Sequence, residues 1–396
     1  MKRNRIRTLQ CTCILMAVLC LGRVKVVKAT VISAQPDTTT TTEKVTVTTT
    51  ETVTEVTTEV AETNTTTEVE TGKGWDRTRS YYYQNGEKVK GFQSIDGSLY
   101  YFSENGELYK KIGLRTIKNK EYYFNQDHSI ATGVVKVKEA YFYFEKETGA
   151  RCEKKGIKKV EGKYYNFNDE SQLQSGWYRN DKGRRYYFDE TTFEAKVGWA
   201  YIGKYKYFFE KNGQLCQDLR KKMAKQIKKQ KNNKDAYVIR VNRTGSCVTV
   251  YAPDGEKGYI IPVVSFVCSA GKGTPTGSFT IRDKLRWHEL MGPSWGQWCE
   301  HLTDDILFHS VYYNKERDNK SLSVSAYNKL GTMASHGCVR LTAGDAKWIY
   351  DNCAKGTKVI IYNNKKNPGP FDKPKAQKLN SSHTWDPTDP TIKKKK

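Results

Sequence analysis

Residues 335–341 read Ser-His-Gly-Cys-Val-Arg-Leu and bring an imidazole, a thiol and a guanidinium into one short run. A cysteine attacks carbonyls as its thiolate, and a nearby histidine or arginine draws its pKa toward that form. If the run is extended, His336, Cys338 and Arg340 share one face while Gly337, Val339 and Leu341 share the other. The first face would carry chemistry and the second would join a core. Gly337 lacks a Cβ, so a carbonyl can approach backbone N–H groups able to hold an oxyanion. The pattern points to covalent catalysis by Cys338 rather than to a packed thiol.

A general base must stand beside that thiol. His288, His301, His309 and His336 all precede Cys338, whereas His128 and His383 fall in other regions. Papain-type peptidases place the cysteine before the histidine, and the TLxTC motif of sortases is absent, so both fit poorly. His288-Glu289 lacks the second histidine of HExxH, and no zinc-ligand spacing stands out. Neither metal nor cofactor is expected.

The elements that must position these groups are β throughout. From Ala236 onward, AYVIRVN, SCVTVYAP, YIIPVVSFVCSAG, GSFTIRD and DDILFHSVYY alternate with Gly, Pro and Asp turns, as in a sandwich or barrel-like core. One helix is expected at TAGDAKWIYDNC, capped by Thr342 with Ala346, Ile349 and Tyr350 inward, and KVIIYN would be the last strand. WHELMGPSWGQWCEHL reads equally as a flap over the cleft or as a packed loop. Just before this region, residues 218–235 repeat Leu219, Met223 and Ile227 at helical spacing among lysines, giving a short basic helix or linker.

Further upstream, Gly74, Gly91, Gly113, Gly133, Gly156, Gly176 and Gly198 recur every 17 to 23 residues, each followed by an aromatic cluster and a turn. Such units should be β-hairpins stacked into a solenoid of about seven repeats. Residues 30–73 are rich in Thr, Val and Glu, fitting either an extended spacer open to glycosylation or a β-prone tether. Residues 1–29 combine a basic start with an apolar run of about 14 residues, short of the roughly 20 needed to cross a bilayer. A cleaved secretory signal is the first expectation and an uncleaved signal anchor the second. Either implies export, so the net charge of +24 is read toward anionic wall polymers and away from nucleic acid. Seven cysteines remain beyond the signal, an odd number that leaves at least one thiol free, and Cys268 with Cys299 is one conceivable pair. Residues 364–396, proline- and lysine-rich, read as a solvated tail.

Two resemblances follow from these motifs. GWYRNDKGRRYYFDETTFEAKVGWAYIGKYKYFFEKNGQ, within residues 74–217, resembles the cell-wall-binding repeats related to choline-binding modules. In that family aromatic cages hold a quaternary ammonium, which makes Trp75, Trp177 and Trp199 candidate ligand contacts; the scarcity of tryptophan here favours an anionic wall polymer or glycan. TPTGSFTI at 274–281, LFHS and SHGCVRL make residues 236–363 resemble the L,D-transpeptidase (YkuD-type) catalytic domain. The resemblance implies Cys338 as nucleophile, His309 as base and the Ser310 carbonyl as its orienter. It also implies oxyanion N–H groups from His336, Gly337 and Cys338, with Arg340 and Ser335 toward substrate. His336 as base is the competing assignment, because the stretch between Ser310 and Ser335 is longer than the family's usual gap. The expected whole is mainly β: a hairpin solenoid followed by a β-rich catalytic domain with one or two helices. Peptidoglycan stem peptides would be the substrate in a Gram-positive type envelope. Cross-linking, trimming by hydrolysis, and a wall-binding protein with an inert domain remain the three readings.

Overall fold

The computed structural model describes residues 72–392. The expected signal segment, all but the end of the Thr/Glu-rich spacer, and the terminal lysine run lie outside the described residues.

Seven hairpin units run from Gly74 to Leu215. Their local logic is visible at Gly91–Ile95 and Ser98–Phe102, joined by Asp96 and Gly97 at φ 51° and 80°. Two consecutive left-handed residues form the tight turn whose twist suits a hairpin. Gly91 opens the strand at φ 69° with open space where a Cβ would lie, so backbone conformation rather than crowding calls for glycine. The second strands end in phenylalanines with no solvent exposure, among them Phe102, Phe124, Phe144, Phe188 and Phe209. Each unit then reaches back: Leu108 N–H donates to Ser80 O, Ile130 N–H to Leu99 O and Leu215 N–H to Arg185 O. No hairpin closes its core alone, which is why the sequence period is so regular.

The C-terminal region is built on two sheets. The first comprises β1 (Val238–Asn242), β2 (Cys247–Ala252), β3 (Ile261–Val267), β4 (Gly277–Thr280) and, last in the chain, β9 (Lys358–Tyr362), in the order β3-β2-β1-β9-β4. The second comprises β5 (Leu285–Leu290), β6 (Ser294–His301), β7 (Leu307–Ser310) and β8 (Val339–Leu341), in chain order. Ile239, Val241, Val250 and Val263 from the first sheet share one core with Phe308, Val339 and Leu341 from the second. Helix α1 (Ala224–Gln230) turns Ile227 into this core beside Leu219 and Met223, so the basic stretch is docked, with its lysines outward. Helix α2 (Val324–Tyr327) is a single turn, whereas α3 (Ala343–Asn352) is capped by Thr342 Oγ1, which accepts from the Asp345 N–H at 3.2 Å. Ala346 and Ile349 are buried as expected, with Tyr350 half-buried.

The last hairpin is joined to the edge of the first sheet. Lys206 N–H donates to Ile260 O at 3.0 Å, Leu219 N–H donates to Val263 O at 2.8 Å, and Tyr205 stacks on Tyr251 at 5.8 Å. An edge strand that would otherwise be open to pairing is covered in this way.

The tail is not a solvated extension. Phe371 is 3% exposed against Tyr207, Phe209 and Leu215, and Leu379 is buried with Tyr313 and Tyr327 from the long stretch after Ser310. Asp386, fully buried, accepts from the Ala343 N–H at 2.7 Å, and Asp389 accepts from Gln297 Nε2 at 2.7 Å. The prolines and polar residues that suggested solvation instead supply turns and caps between a few apolar anchors. Phe371→Ala should therefore lower stability by about 3 kcal/mol in chemical denaturation, the usual cost of emptying a buried phenylalanine site; an unchanged midpoint would mean the tail contributes no packing.

Candidate active site

Strands β7 and β8 run parallel, with Phe308 opposite Val339, His309 opposite Arg340 and Ser310 opposite Leu341. This register carries the histidine and the cysteine motif side by side. The expected face alternation holds for Val339, Arg340 and Leu341, where Val339 and Leu341 enter the core. It fails upstream, because residues 336–338 form a bend rather than strand, and His336 is exposed. A glycine in the middle of the motif is better suited to such a bend than to a ladder.

The bend is held by the preceding loop. Gly273 N–H donates to His336 O at 3.1 Å, and Thr274 Oγ1 donates to Gly337 O while accepting from the Gly271 N–H at 2.9 Å. Ser335 Oγ donates to Cys338 O at 2.6 Å. Ser335, expected toward substrate, is thus spent on the backbone of the bend. The approach is so close that a Cβ at Gly271 would fall 1.9 Å from Ser335 O and one at Gly273 2.4 Å from His336 O. The bend's carbonyls are tied, while among the described residues the N–H groups of His336, Gly337 and Cys338 donate to nothing. Free N–H groups in succession are the donors an oxyanion requires. Gly337 has a further reason to be glycine, since a Cβ there would meet Ile306 Cδ1 at 2.6 Å.

His309 is 1% exposed, and its Nδ1 lies 2.6 Å from Ser310 O. A carbonyl can only accept, so Nδ1 carries the proton and Nε2 presents its lone pair. Burial, reinforced by the Arg340 guanidinium, pushes the imidazole down to about 3, so the ring is neutral. Cys338 Sγ meets Asp305 O at 3.5 Å. Burial raises its pKa, outweighing the lowering by a backbone hydrogen bond at Leu307 and by Arg340. The sequence expectation that the neighbours would favour a resting thiolate is therefore reversed: the site rests as thiol and neutral imidazole. Arg340 donates from Nη1 to Ala334 O at 3.3 Å and lies over Tyr312 at 5.1 Å.

Other groups here escaped the sequence reading. Gly296 leaves space filled by His309, whose Cβ and Nδ1 lie 3.1 Å from where a Cβ would sit, with Cys299 Sγ at 3.0 Å. His288 pairs across from Gly296 on the β5–β6 hairpin, which reaches the solvent at Met291. His288 also packs edge-on against His301 at 5.1 Å, and His301 Nδ1 bonds Asp283 at 2.7 Å. The tryptophan-rich segment is thus a hairpin with a packed base and an exposed tip. The regular GxGT spacing of residues 271–274 was the available signal for the loop; the role of Gly296 had none, since it depends on pairing between distant strands. All seven cysteines from Cys152 to Cys353 are free, Cys268 and Cys299 included. Among the described residues no cluster of His, Cys, Asp and Glu could hold a metal.

In the repeats, Trp177 and Trp199 are 40% and 45% exposed, and the three tryptophans stand in separate hairpins. Each packs edge-on against a ring of its own unit: Trp75 on Tyr82, Trp177 on Tyr187 and Trp199 on Phe208.

Residues 236–361 match the model of the L,D-transpeptidase catalytic domain, residues 111–155 the choline-binding repeat, and residues 90–108 a cell wall binding repeat. A Bacillus subtilis (strain 168) protein named "Putative L,D-transpeptidase YciB" is 43% identical over 94 residues, 22% of this chain and 46% of that protein. The match thus spans about half the relative's length. Among solved structures, choline binding protein F from Streptococcus pneumoniae is 21% identical over 34% of this chain and 55% of its own, at a TM-score of 0.25. An L,D-transpeptidase from Mycobacterium smegmatis is 21% identical over 32% of this chain and 58% of its own, at a TM-score of 0.25. Residues 236–361 are thus similar to the L,D-transpeptidase (YkuD-type) catalytic domain, and residues 90–108 and 111–155 upstream of them to cell wall binding and choline-binding repeats.

Proposed function

We propose that this chain is an exported peptidoglycan L,D-transpeptidase that forms 3→3 cross-links through a thioester on Cys338, held at the wall by its repeats. The observation that carries this reading is the buried His309, fixed by Ser310 O in the tautomer that leaves the Nε2 lone pair free, on the strand paired in parallel with β8, which begins directly after Cys338.

The chemistry then follows from the resting protonation. A neutral thiol needs its proton removed as it attacks, so His309 Nε2 takes the Cys338 proton while the sulfur bonds the carbonyl carbon of the third residue of a tetrapeptide stem. The developing oxyanion meets the free N–H groups of His336, Gly337 and Cys338. Collapse breaks the peptide bond; the imidazolium returns the proton to the departing amine, and D-alanine leaves. A side-chain amine of a second stem attacks the thioester, gives its proton to His309, and expels the cysteine sulfur, which regains a proton from the same ring. The atoms balance without metal or cofactor. The repeats raise the local concentration of stems without touching the bond change.

Incubation of the exported protein with a carbapenem should add the mass of one drug, and Cys338→Ala should abolish both that adduct and turnover of synthetic stems. Native protein that neither forms an adduct nor processes tetrapeptide stems would overturn the enzyme reading in favour of an inert wall-binding domain. Release of D-alanine without cross-linked product when an acceptor amine is supplied would assign hydrolysis instead.

The depressed pKa of His309 sets a pH signature. Its neutral form persists well below its ordinary 6.5, so kcat/KM for acylation should show no acidic limb near 6.5 and His309→Gln should cost at least about a hundredfold. Because the folded pKa lies below the unfolded one, the stability gained by burying the neutral ring is lost as pH falls from 6.5 toward about 3. An acidic limb that vanishes in His336→Gln would move the base to His336.

Thr274→Val should lower kcat about tenfold with little change in KM, because losing one bond to the Gly337 carbonyl loosens the oxyanion donors without removing a substrate contact. Equal loss in KM would indicate that Thr274 binds the stem directly.

A further inference from the structure

The repeats contain one aromatic cluster twice. Trp75 meets Tyr82 and Tyr100 edge-on at 5.3 and 5.2 Å and Phe102 at 5.8 Å. Trp177 meets Tyr187 and Tyr207 at 5.3 and 5.2 Å and Phe209 at 6.1 Å. Each tryptophan already carries a guanidinium of this chain on its ring, Arg79 at 5.0 Å and Arg185 at 4.4 Å. A quaternary ammonium would compete for that same electron-rich ring. The clusters are supplied with cation, and the charge they call for is negative.

At the second cluster the negative charge comes from the tail. Asp372 pairs with Arg179, lies 3.7 Å from Arg185, and accepts from Gln217 Nε2 at 3.1 Å. Its N–H donates to Gln217 Oε1 at 2.8 Å, Arg185 donates to Pro370 O at 2.9 Å, and Phe371 lies against Tyr207 at 6.4 Å. Residues 370–372 behave as a built-in ligand, a carboxylate next to an apolar group.

The first cluster has no tail. A cavity of about 300 Å³ opens beside Trp75 and Tyr100, rimmed by Arg79, Lys110, Asp127 and His128. Lys110 follows Leu108 as Gln217 follows Leu215, and both leucines bridge to the corresponding phenylalanine, so Lys110 stands where the residue gripping Asp372 stands in the other cluster. Among the described residues Arg79 pairs with no carboxylate, and the Lys110 ammonium meets the Ser80 hydroxyl at 2.8 Å. Asp127 is engaged by the Ser129 N–H and hydroxyl at 3.0 and 2.6 Å. His128 Nδ1 is buried without a hydrogen-bond partner.

We propose that this groove binds a carboxylate of the peptidoglycan stem peptide, held by Arg79 and Lys110 as Asp372 is held by Arg179, Arg185 and Gln217. It does not take a quaternary ammonium. The site rests on the wall-enzyme reading above and gives the repeats a ligand of defined charge. Two charge-assisted hydrogen bonds to a carboxylate are the recognition, with the aromatic cluster seating the apolar neighbour.

The test is co-sedimentation of the full chain with peptidoglycan freed of phosphate polymers by hydrofluoric acid. Native protein should be retained. The double variant Arg79→Gln, Lys110→Gln, and native protein on peptidoglycan whose carboxylates have been amidated, should each bind at least about tenfold more weakly. Both residues lie on the surface, and a thermal unfolding midpoint equal to that of the native chain would show that the variant is folded. Retention unchanged in the double variant, retention lost once phosphate polymers are stripped, or displacement by choline chloride would each overturn the proposal. A native protein that sediments through Arg79 and Lys110 yet turns over no stem would leave this site standing and remove the enzyme reading.

Discussion

The candidate site depends on the close approach of two backbone segments, the loop at 271–274 and the bend at 335–338. Gly271 and Gly273 sit where any side chain would collide with the carbonyls of Ser335 and His336. That contact, with Thr274 bridging Gly337 and Gly271, turns the carbonyls of the bend toward the loop. Consecutive carbonyls pinned to one side leave consecutive N–H groups free on the other. The free N–H groups of the bend are thus a by-product of how it is anchored.

Burial decides how the same site handles protons. The opposing influences on Cys338 are desolvation, which raises its pKa, and the Arg340 charge and a backbone hydrogen bond, which lower it; desolvation wins. On His309 desolvation and Arg340 act in the same direction, and both favour the neutral ring. A buried ion pair would have to repay the removal of two charges from water. A neutral pair avoids that cost at rest; in the proposed mechanism charge is created only as substrate arrives, when the attacking sulfur and the forming oxyanion give the imidazolium a counter-charge. The β5–β6 hairpin packs against His309, with Gly296 leaving room for its ring.

Much of this architecture is legible in the sequence wherever the relevant physics is local. The glycine period gave seven hairpins because each turn and strand opening demands a left-handed backbone within a few residues. Thr342 and the Leu219, Met223, Ile227 spacing gave their helices for the same reason. The placement of His309 beside the motif came through resemblance, and the Ser310 carbonyl lies where that resemblance implied. What escaped was non-local. The bend at His336 to Cys338 is imposed by a loop more than sixty residues away, so a strand-like pattern misled there. The same applies to the tail: five prolines and many lysines look solvated in isolation, but Phe371, Leu379, Asp386 and Asp389 each find a partner supplied by another part of the fold. The stretch after Ser310 and the tail lie apart in the sequence, whereas Leu379 of the tail packs into a small core built mostly from that stretch.

That shared core changes how the two halves of the chain are connected. Tail residues touch the repeats through Asp372, the insertion through Asn328 and Leu379, the start of α3 through Asp386, and β6 through Asp389. β6 also holds Gly296, against which His309 rests, and α3 follows directly from the strand that carries the cysteine motif. With the last hairpin sealed onto the edge of the first sheet as well, the repeats are fastened to the C-terminal region at two separated places. A single flexible linker would let the repeats and the C-terminal region rotate independently; two attachments, one of them an aspartate held by two arginines, make their orientation part of the fold. The segment that completes the second aromatic cluster therefore belongs to the same tail that packs against the start of α3 and against β6.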